Sequence, residues 1–308
     1  NLDKNREFDL AAYHEPGRTS AERYPLPQAL WVPLQDRMQD VFAGVLLTRE
    51  IPWQKRDEIV ADRLGLPNAL IRHRQGDTDL IAIGGGSGSS RSTYMAGTAI
   101  WRASDTIIAK GRPIAADMLE TAETDLLFEE GRFTVTGTDR SVGLFEVADR
   151  ARAAGAPLDT YHRWTRDWMT FPNGAHVVEV EIDRETGLLT LARYTAVDDY
   201  GVLVNPIIAA GQAHGAIAQG VGQALMEQAV YDTSSGQPLT GSFMDYAMPR
   251  ADDLPFFALS FNATPCTTNP LGVKGAGEAG AIAAFPAVAN AIYDALAPFG
   301  VDHVEGPA

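Results

Sequence analysis

Apolar positions along this chain change period several times, and each change marks an element. Ile59, Val60, Leu64 and Leu66 recur at helical spacing over 56–66, and Gly65 and Pro67 stop the run, so a helix is predicted there. Residues 69–74 read as a short strand, and 93–109 as a helix that follows a glycine- and serine-rich loop at 84–92. The runs 126–128 and 132–136 flank Glu129-Glu130-Gly131, a hairpin signature, and 142–153 reads as a helix. A longer hairpin is predicted from two β-rich runs, 175–183 and 188–199, around Thr186-Gly187. The stretch 207–228 predicts a helix with small residues at close intervals: Gly211, Gly215, Ala218, Gly220, Gly222 and Ala224. Each such glycine weakens a helix by about 1 kcal/mol relative to alanine, so close approach of a backbone or ligand is expected to offset it. A last helix is expected over 286–296, with Pro286 at its first position. Residues 1–55, with the polar run 15–20 and the apolar stretch 41–47, stay unassigned. Hairpins mixed with helices predict an α+β fold rather than a doubly wound sheet.

Composition narrows the function classes. Of 308 residues, 45% are hydrophobic and 21% charged, ordinary values for a folded domain large enough to bury a core. A formal charge of −15 argues against nucleic acid or an anionic membrane as partner. Read as a string, the chain shows no apolar run of the roughly 18 residues a membrane span needs, and no signal segment opens it. Its single cysteine, Cys266, excludes an internal disulfide and cannot by itself ligate an iron–sulfur cluster. The expected compartment is the cytoplasm.

The densest candidate chemistry is Asn269-Pro270-Leu271-Gly272-Val273-Lys274-Gly275-Ala276-Gly277-Glu278-Ala279-Gly280. Glycine at that density lets a backbone approach a ligand, and Glu278 is the one carboxylate in it. A glycine loop with no chemistry is the alternative reading. Gly275 to Gly280 also fits the G-x-G-x-x-G dinucleotide pattern, but Thr267-Thr268-Asn269-Pro270 before it cannot be a central strand, and the next helix is expected only at Pro286. The loop 84–92 lacks the Gly-Lys-Ser/Thr ending of a P-loop. It still offers amides, hydroxyls and Arg91 to phosphate or pterin oxygens, against the plain reading of a surface turn. The six histidines are scattered with no metal-ligand spacing, and His214 reads as packing or as support for a site. Cys266 reads as a small hydrophobe, Asp77 and Asp79 as turn carboxylates, and Asp198 and Asp199 at a strand end as an Asx turn, with a functional role as the alternative. No Gly-x-Ser-x-Gly elbow is present.

Taken together, segments over about 57–300 resemble the second half of the molybdopterin-binding subunit of the xanthine dehydrogenase/aldehyde oxidase family of molybdenum hydroxylases. Ala61-Asp62-Arg63-Leu64-Gly65-Leu66-Pro67 with Gln75-Gly76-Asp77-Thr78-Asp79 is similar to its helix–strand entry, and Gly88-Ser89-Ser90-Arg91-Ser92 to its cofactor loop. Val197 to Gly201, Asn205-Pro206, Gly211-Gln212 and Gln219-Gly220-Val221-Gly222 follow its glycine-rich helix, and Gly272 to Glu278 its active-site loop. These segments stand in the family's order. The Gly-Gln-Gly loop expected before the first helix is replaced by Thr48-Arg49-Glu50-Ile51-Pro52, and the family's first half has no counterpart in this sequence.

The resemblance implies a molybdopterin-binding domain over 56–308, divisible at about 170. It implies molybdenum held by a pterin dithiolene, in the cytosine dinucleotide form, with no protein ligand to the metal. Glu278 would be the general base that takes a proton from a molybdenum-bound hydroxyl in the oxidation of an aldehyde or N-heterocycle. Gly88, Ser89, Ser90, Arg91, Ser92, Gln212, Lys274, Gly275, Ala276 and Gly277 would bind the cofactor. The implied partners are an iron–sulfur subunit, an FAD subunit and, in a divided subunit, its N-terminal half. A carbon monoxide oxidiser is a further option, and a non-catalytic assembly subunit without cofactor is the rival class.

Overall fold

The computed structural model describes residues 30–36, 43–47, 57–75, 88–164, 168–301 and 303–308. Asp77, Asp79, 84–87 and Thr48 to Pro52 lie outside the described residues. The chain divides into two compact units, Asn1–Asp167 and Trp168–Ala308.

In the first unit, β1 (Leu30–Asp36), β2 (Ala43–Leu47) and β3 (Ile71–Gln75) form an antiparallel run, so the unassigned N-terminal segment contributes two strands. Helix α1 spans Asp57–Leu64 and buries Ile59, Val60 and Leu64, as the helical spacing predicts. The long helix α2 (Ser92–Leu119) is ten residues longer than its predicted end at 109 and passes through Pro113. Lys110-Gly111-Arg112-Pro113 reads locally as a stop, yet Ala115 and Ala116 beyond it are buried and Gly111 sits against the Phe133 ring, so packing overrides propensity. The predicted hairpin appears as β4 (Leu126–Glu129) and β5 (Arg132–Val135), with Phe128 opposite Phe133. Strand β6 (Ser141–Gly143) and helix α3 (Leu144–Ala153) follow, and β7 (His162–Trp164) completes the first sheet in parallel with β1.

The second unit is a three-stranded sheet backed by two helices. Strands β8 (Asn173–Ile182) and β9 (Leu189–Asp199) pair antiparallel, and β10 (Phe257–Phe261) runs parallel to β9. A bulge at Glu179/Val180 shifts the register, because Glu179 pairs with Arg193 while Val180 pairs with Leu191. Beyond it the alternation is strict, with Tyr194, Ala196 and Asp198 all turned inward. Helices α4 (Pro206–Leu225) and α5 (Ala279–Leu296) close the core with Ile217, Val221, Ala284, Val288 and Ile292 against Leu191, Tyr194 and Phe257. Asn205 caps α4 by accepting the Ile208 amide at 3.1 Å.

The helix crossing explains Gly220 of α4, whereas Gly222 faces Glu227 and Pro249, and a Cβ on Gly211 or Gly215 would meet nothing within 4 Å. A Cβ on Gly220 would lie 2.7 Å from Ala284 Cβ, and one on Gly280 would lie 3.0 Å from the Ala213 carbonyl. Helix α5 therefore starts seven residues before the predicted position at Pro286, which lies inside it. The glycine-rich lead-in looks like loop by composition, whereas tertiary contact with α4 turns its end into helix. With its following turn, Ala279–Phe299 is also long and apolar enough to cross a membrane by length and composition, which inspection of apolar runs did not register. It contains Asn290 and Asp294, and it packs on α4 and β8 through Gly280, Ala284, Val288 and Ile292. The fold is α+β, as the sequence pattern predicts.

Candidate functional site

The inward phase of β9 puts a carboxylate where an apolar residue would be expected. Asp198 is 4% exposed, and its neighbours on the same face hold it in a four-residue network. Tyr200 Oη donates to Asp198 Oδ2 at 2.7 Å, and His176 Nε2 lies 3.1 Å from Asp198 Oδ1. His176 Nδ1 lies 2.6 Å from Tyr194 Oη. Burial raises both phenols, the Asp198 charge adds to it, and so each tyrosine stays a protonated donor. One arrangement then pairs every group: Tyr194 donates to Nδ1, and the Nε2–H donates to Asp198. Gly174 stands directly opposite Asp198, and a Cβ there would collide with Asp198 Oδ1.

Asp199, one residue on, faces the other way and ties the strand to the glycine loop. Lys274 Nζ donates to Asp199 Oδ2 at 2.6 Å, and the two side chains are only 10% and 14% exposed. Asp199 Oδ1 accepts the amides of Gly201 at 2.8 Å and Thr264 at 3.0 Å. Burial pushes this carboxyl up, but Lys274 and the two amides outweigh it and hold it down at about 2. The Gly201 bond is the expected Asx turn, and the ion pair is an addition the sequence did not show. Because the folded value is depressed, the pair's contribution is present above about pH 4 and lost as pH falls towards about 2. Denaturant unfolding measured across that range should therefore show a steeper acid loss for the native protein than for Asp199→Asn.

Backbone bonds reinforce the tie. Val202 N donates to the Gly272 carbonyl at 2.9 Å and Lys274 N to the Tyr200 carbonyl at 2.8 Å, framing a bridge between Gly201 and Val273. Gly201 has φ +67, and any side chain on it would strike the Gly272 oxygen, so only glycine fits. Asn269 holds Val273 from both sides, accepting its amide and donating to its carbonyl. Gly275 N donates to Thr170 Oγ1 at 3.2 Å. Glu278 then occupies the cap position of α5, makes no capping bond with its side chain, and is exposed within the described residues. A helix does open just after Gly277, contrary to the late start expected, but 267–270 is turn and not strand, so the dinucleotide pattern still lacks its strand.

The other candidates fall as follows. Gln212 is exposed on α4, and it is the next residue, Ala213, whose carbonyl lies against Gly280 of α5. His214 packs, stacking on Phe257 with centroids 5.6 Å apart. Cys266 is half-buried, its Sγ 3.1 Å from Thr268 Oγ1. Gly88, Ser89, Ser90, Arg91 and Ser92 belong to the first unit and form a tight turn at the start of α2. Ser89 and Ser90 take φ of 53 and 51, left-handed values that β-carbons disfavour. Arg91 is 6% exposed, and no side chain caps the helix. A strained turn, three hydroxyls and the amide end of a 28-residue helix make a donor set that suits a phosphate-bearing ligand. Among the described residues no group of three or more His, Cys, Asp or Glu is placed to hold a metal ion.

Comparison with known proteins assigns the family. The chain is 37% identical over 256 residues to the carbon monoxide dehydrogenase large chain of Hydrogenophaga pseudoflava, covering 81% of this chain and 32% of that protein. It is 38% identical over 262 residues to the nicotine 6-hydroxylase large subunit of Paenarthrobacter nicotinovorans, with 82% and 32% covered. The crystal structure of a Cu,Mo-CO dehydrogenase matches with a TM-score of 0.75 at 34% identity, over 82% of this chain and 32% of that one. The family described as molybdopterin cofactor-binding domain matches residues 53–255. This chain is a molybdenum hydroxylase family member. The chain spans about a third of the length of the curated relatives it matches. The matched family span contains the Gly88 to Ser92 turn and Gln212, while Lys274 to Glu278 lie beyond it. A pterin carrying a phosphate fits the donors at the α2 turn.

Proposed function

We propose that this chain supplies the cofactor cradle and the proton-accepting carboxylate of a hydroxylase that oxidises an aldehyde or N-heterocycle with oxygen from water. The observation that carries the reading is the seating of Glu278 between a hydrogen-bonded glycine loop and the start of α5, in a chain of this family. Bound molybdenum-pterin, in its cytosine dinucleotide form, supplies the two-electron redox chemistry. Ser89, Ser90 and Ser92 hydroxyls, the first amides of α2 and the Arg91 guanidinium hold its phosphate and pterin oxygens. Within the second unit, Gly275, Ala276 and Gly277 give a backbone surface with little side chain, and Gln212 offers an exposed amide. A carboxylate oxygen of Glu278 receives the proton of the attacking oxygen as that oxygen bonds to the substrate carbon. The working partners are an iron–sulfur subunit, an FAD subunit and, where the molybdopterin subunit is divided, its N-terminal half, in the cytoplasm.

Arg91→Ala is expected to lower the molybdenum and cytidine nucleotide content of the purified complex at least tenfold, in the range lost with one charge-assisted anion contact. Turnover per remaining molybdenum should change much less. Full metal content in that variant would remove the α2 turn from the cofactor site. A native complex that carries no molybdenum would overturn the reading itself and favour the assembly role.

A further inference from the structure

The buried ion pair between Asp199 and Lys274 sits where a cofactor contact is expected from the family resemblance. Lys274 Nζ is turned onto Asp199 at 2.6 Å in a largely buried pair, and Asp199 spends its second oxygen on two backbone amides. The ammonium is thereby committed to a carboxylate of its own chain. What it does for the loop follows from the spacing. Bonds to Tyr200, Thr170 and Asn269 hold Val273, Lys274 and Gly275, and α5 begins at Ala279. Only Ala276 and Gly277 separate the last held residue from Glu278. On the other side, the start of α5 is set by Gly280 against Ala213, Ala216 and Ile217 of α4.

Strand β9 is the foundation of this arrangement. Asp198 is locked inward by His176 and Tyr200, and that fixes the face on which Asp199 emerges. A short, charge-assisted bond in a site largely shielded from water resists displacement more than a neutral bond does. The carboxyl of Asp199 is held low enough to remain ionised at every working pH.

We infer that Asp199 and Lys274 form a positioning strut that fixes the reach of Glu278, and that Lys274 is not a ligand to the cofactor. The inference rests on the reading of Glu278 as base. A strut of this kind acts on geometry: misplacing a reacting group by about 1 Å can lower turnover on the order of 10²-fold.

The test uses the complete enzyme with its partner subunits, in the native form and as Asp199→Asn, Lys274→Met, both together, and Lys274→Arg. Lys274→Met keeps the stem packed beside Gly201 and removes only the ammonium, so it remains informative if Asp199→Asn folds poorly. Molybdenum and pterin content, kcat, KM, thermal midpoint and amide exchange over 272–280 are measured for each. In either single variant the strut requires kcat lower by roughly 10- to 100-fold with KM within about twofold and metal content kept. Exchange should quicken at 276–279 while α4 stays protected. The double variant should be no slower than the worse single one, since the two residues form one unit. Lys274→Arg, which keeps the charge, should recover most of the rate.

Loss of cofactor in Lys274→Met but not in Asp199→Asn would overturn the inference and make Lys274 a cofactor contact. Unchanged exchange and unchanged kcat in both single variants would overturn it as well. Glu278→Gln run alongside separates the two ideas. If that variant turns over normally while exchange quickens at 276–279 in the strut variants, the base assignment fails and the strut stands.

Discussion

Replacing Glu278 with glutamine should lower kcat of the metal-loaded complex by about 10²–10⁴-fold, the usual worth of a general base. Glutamine keeps the size and one hydrogen-bonding oxygen but cannot take up a proton at working pH. The fold should tolerate the change, because Glu278 is exposed and glutamine keeps its size and hydrogen-bonding reach. Metal content and thermal midpoint should stay native, which separates a chemical defect from an assembly defect. A turnover within threefold of native, measured per molybdenum, would remove Glu278 from the mechanism. Within its own unit Glu278 is exposed, and bound cofactor and substrate would shield it from water.

Asp198→Ala has the largest expected effect on stability. The substitution would strand Tyr200 Oη and His176 Nε2, two donors that now end on one carboxylate. A buried donor left unsatisfied costs about 1–3 kcal/mol, and bonds to a charged acceptor are worth about 1.5–3 kcal/mol each, so a loss of about 3–5 kcal/mol is expected. Urea denaturation of the purified protein followed by circular dichroism would measure it. A change below about 1 kcal/mol would mean that the network is replaced by water at little cost. Asp198→Asn should lie between, since its amide still accepts one of the two bonds.

Local pattern revealed much of the fold. The two hairpins, α1 and α4 were legible because period, turn residues and caps agreed over each of them. The misreadings share a cause. At Pro113 and at Gly280 the local residues argue against helix, and distant partners (Phe133 for one, Ala213 for the other) reverse the outcome. No single-segment reading contains that information. The site was only partly legible. Glycine density drew notice to 272–280, but the tie between Lys274 and Asp199 spans 75 residues and leaves no trace in spacing. The buried network had one available signal: the alternation Tyr194, Ala196, Asp198 already points the acid inward. Reading Asp198 and Asp199 together as turn residues overlooked that successive strand residues face opposite ways.

The bulge on β9 has a consequence for the loop that carries Glu278. Two adjacent aspartates do different work here, one holding a histidine indoors and one grasping a lysine, and nothing but strand phase tells them apart. Residue Ala192, the extra one between paired Leu191 and Arg193, sets that phase relative to the hairpin end. Ala192 and Arg193 both face outward at the bulge, which keeps Tyr194, Ala196 and Asp198 inward in step with Leu191 and with Val178 and Val180 opposite. A one-residue slip between that bulge and Asp199 would exchange the tasks of the two acids, so strand phase decides which carboxylate meets Lys274.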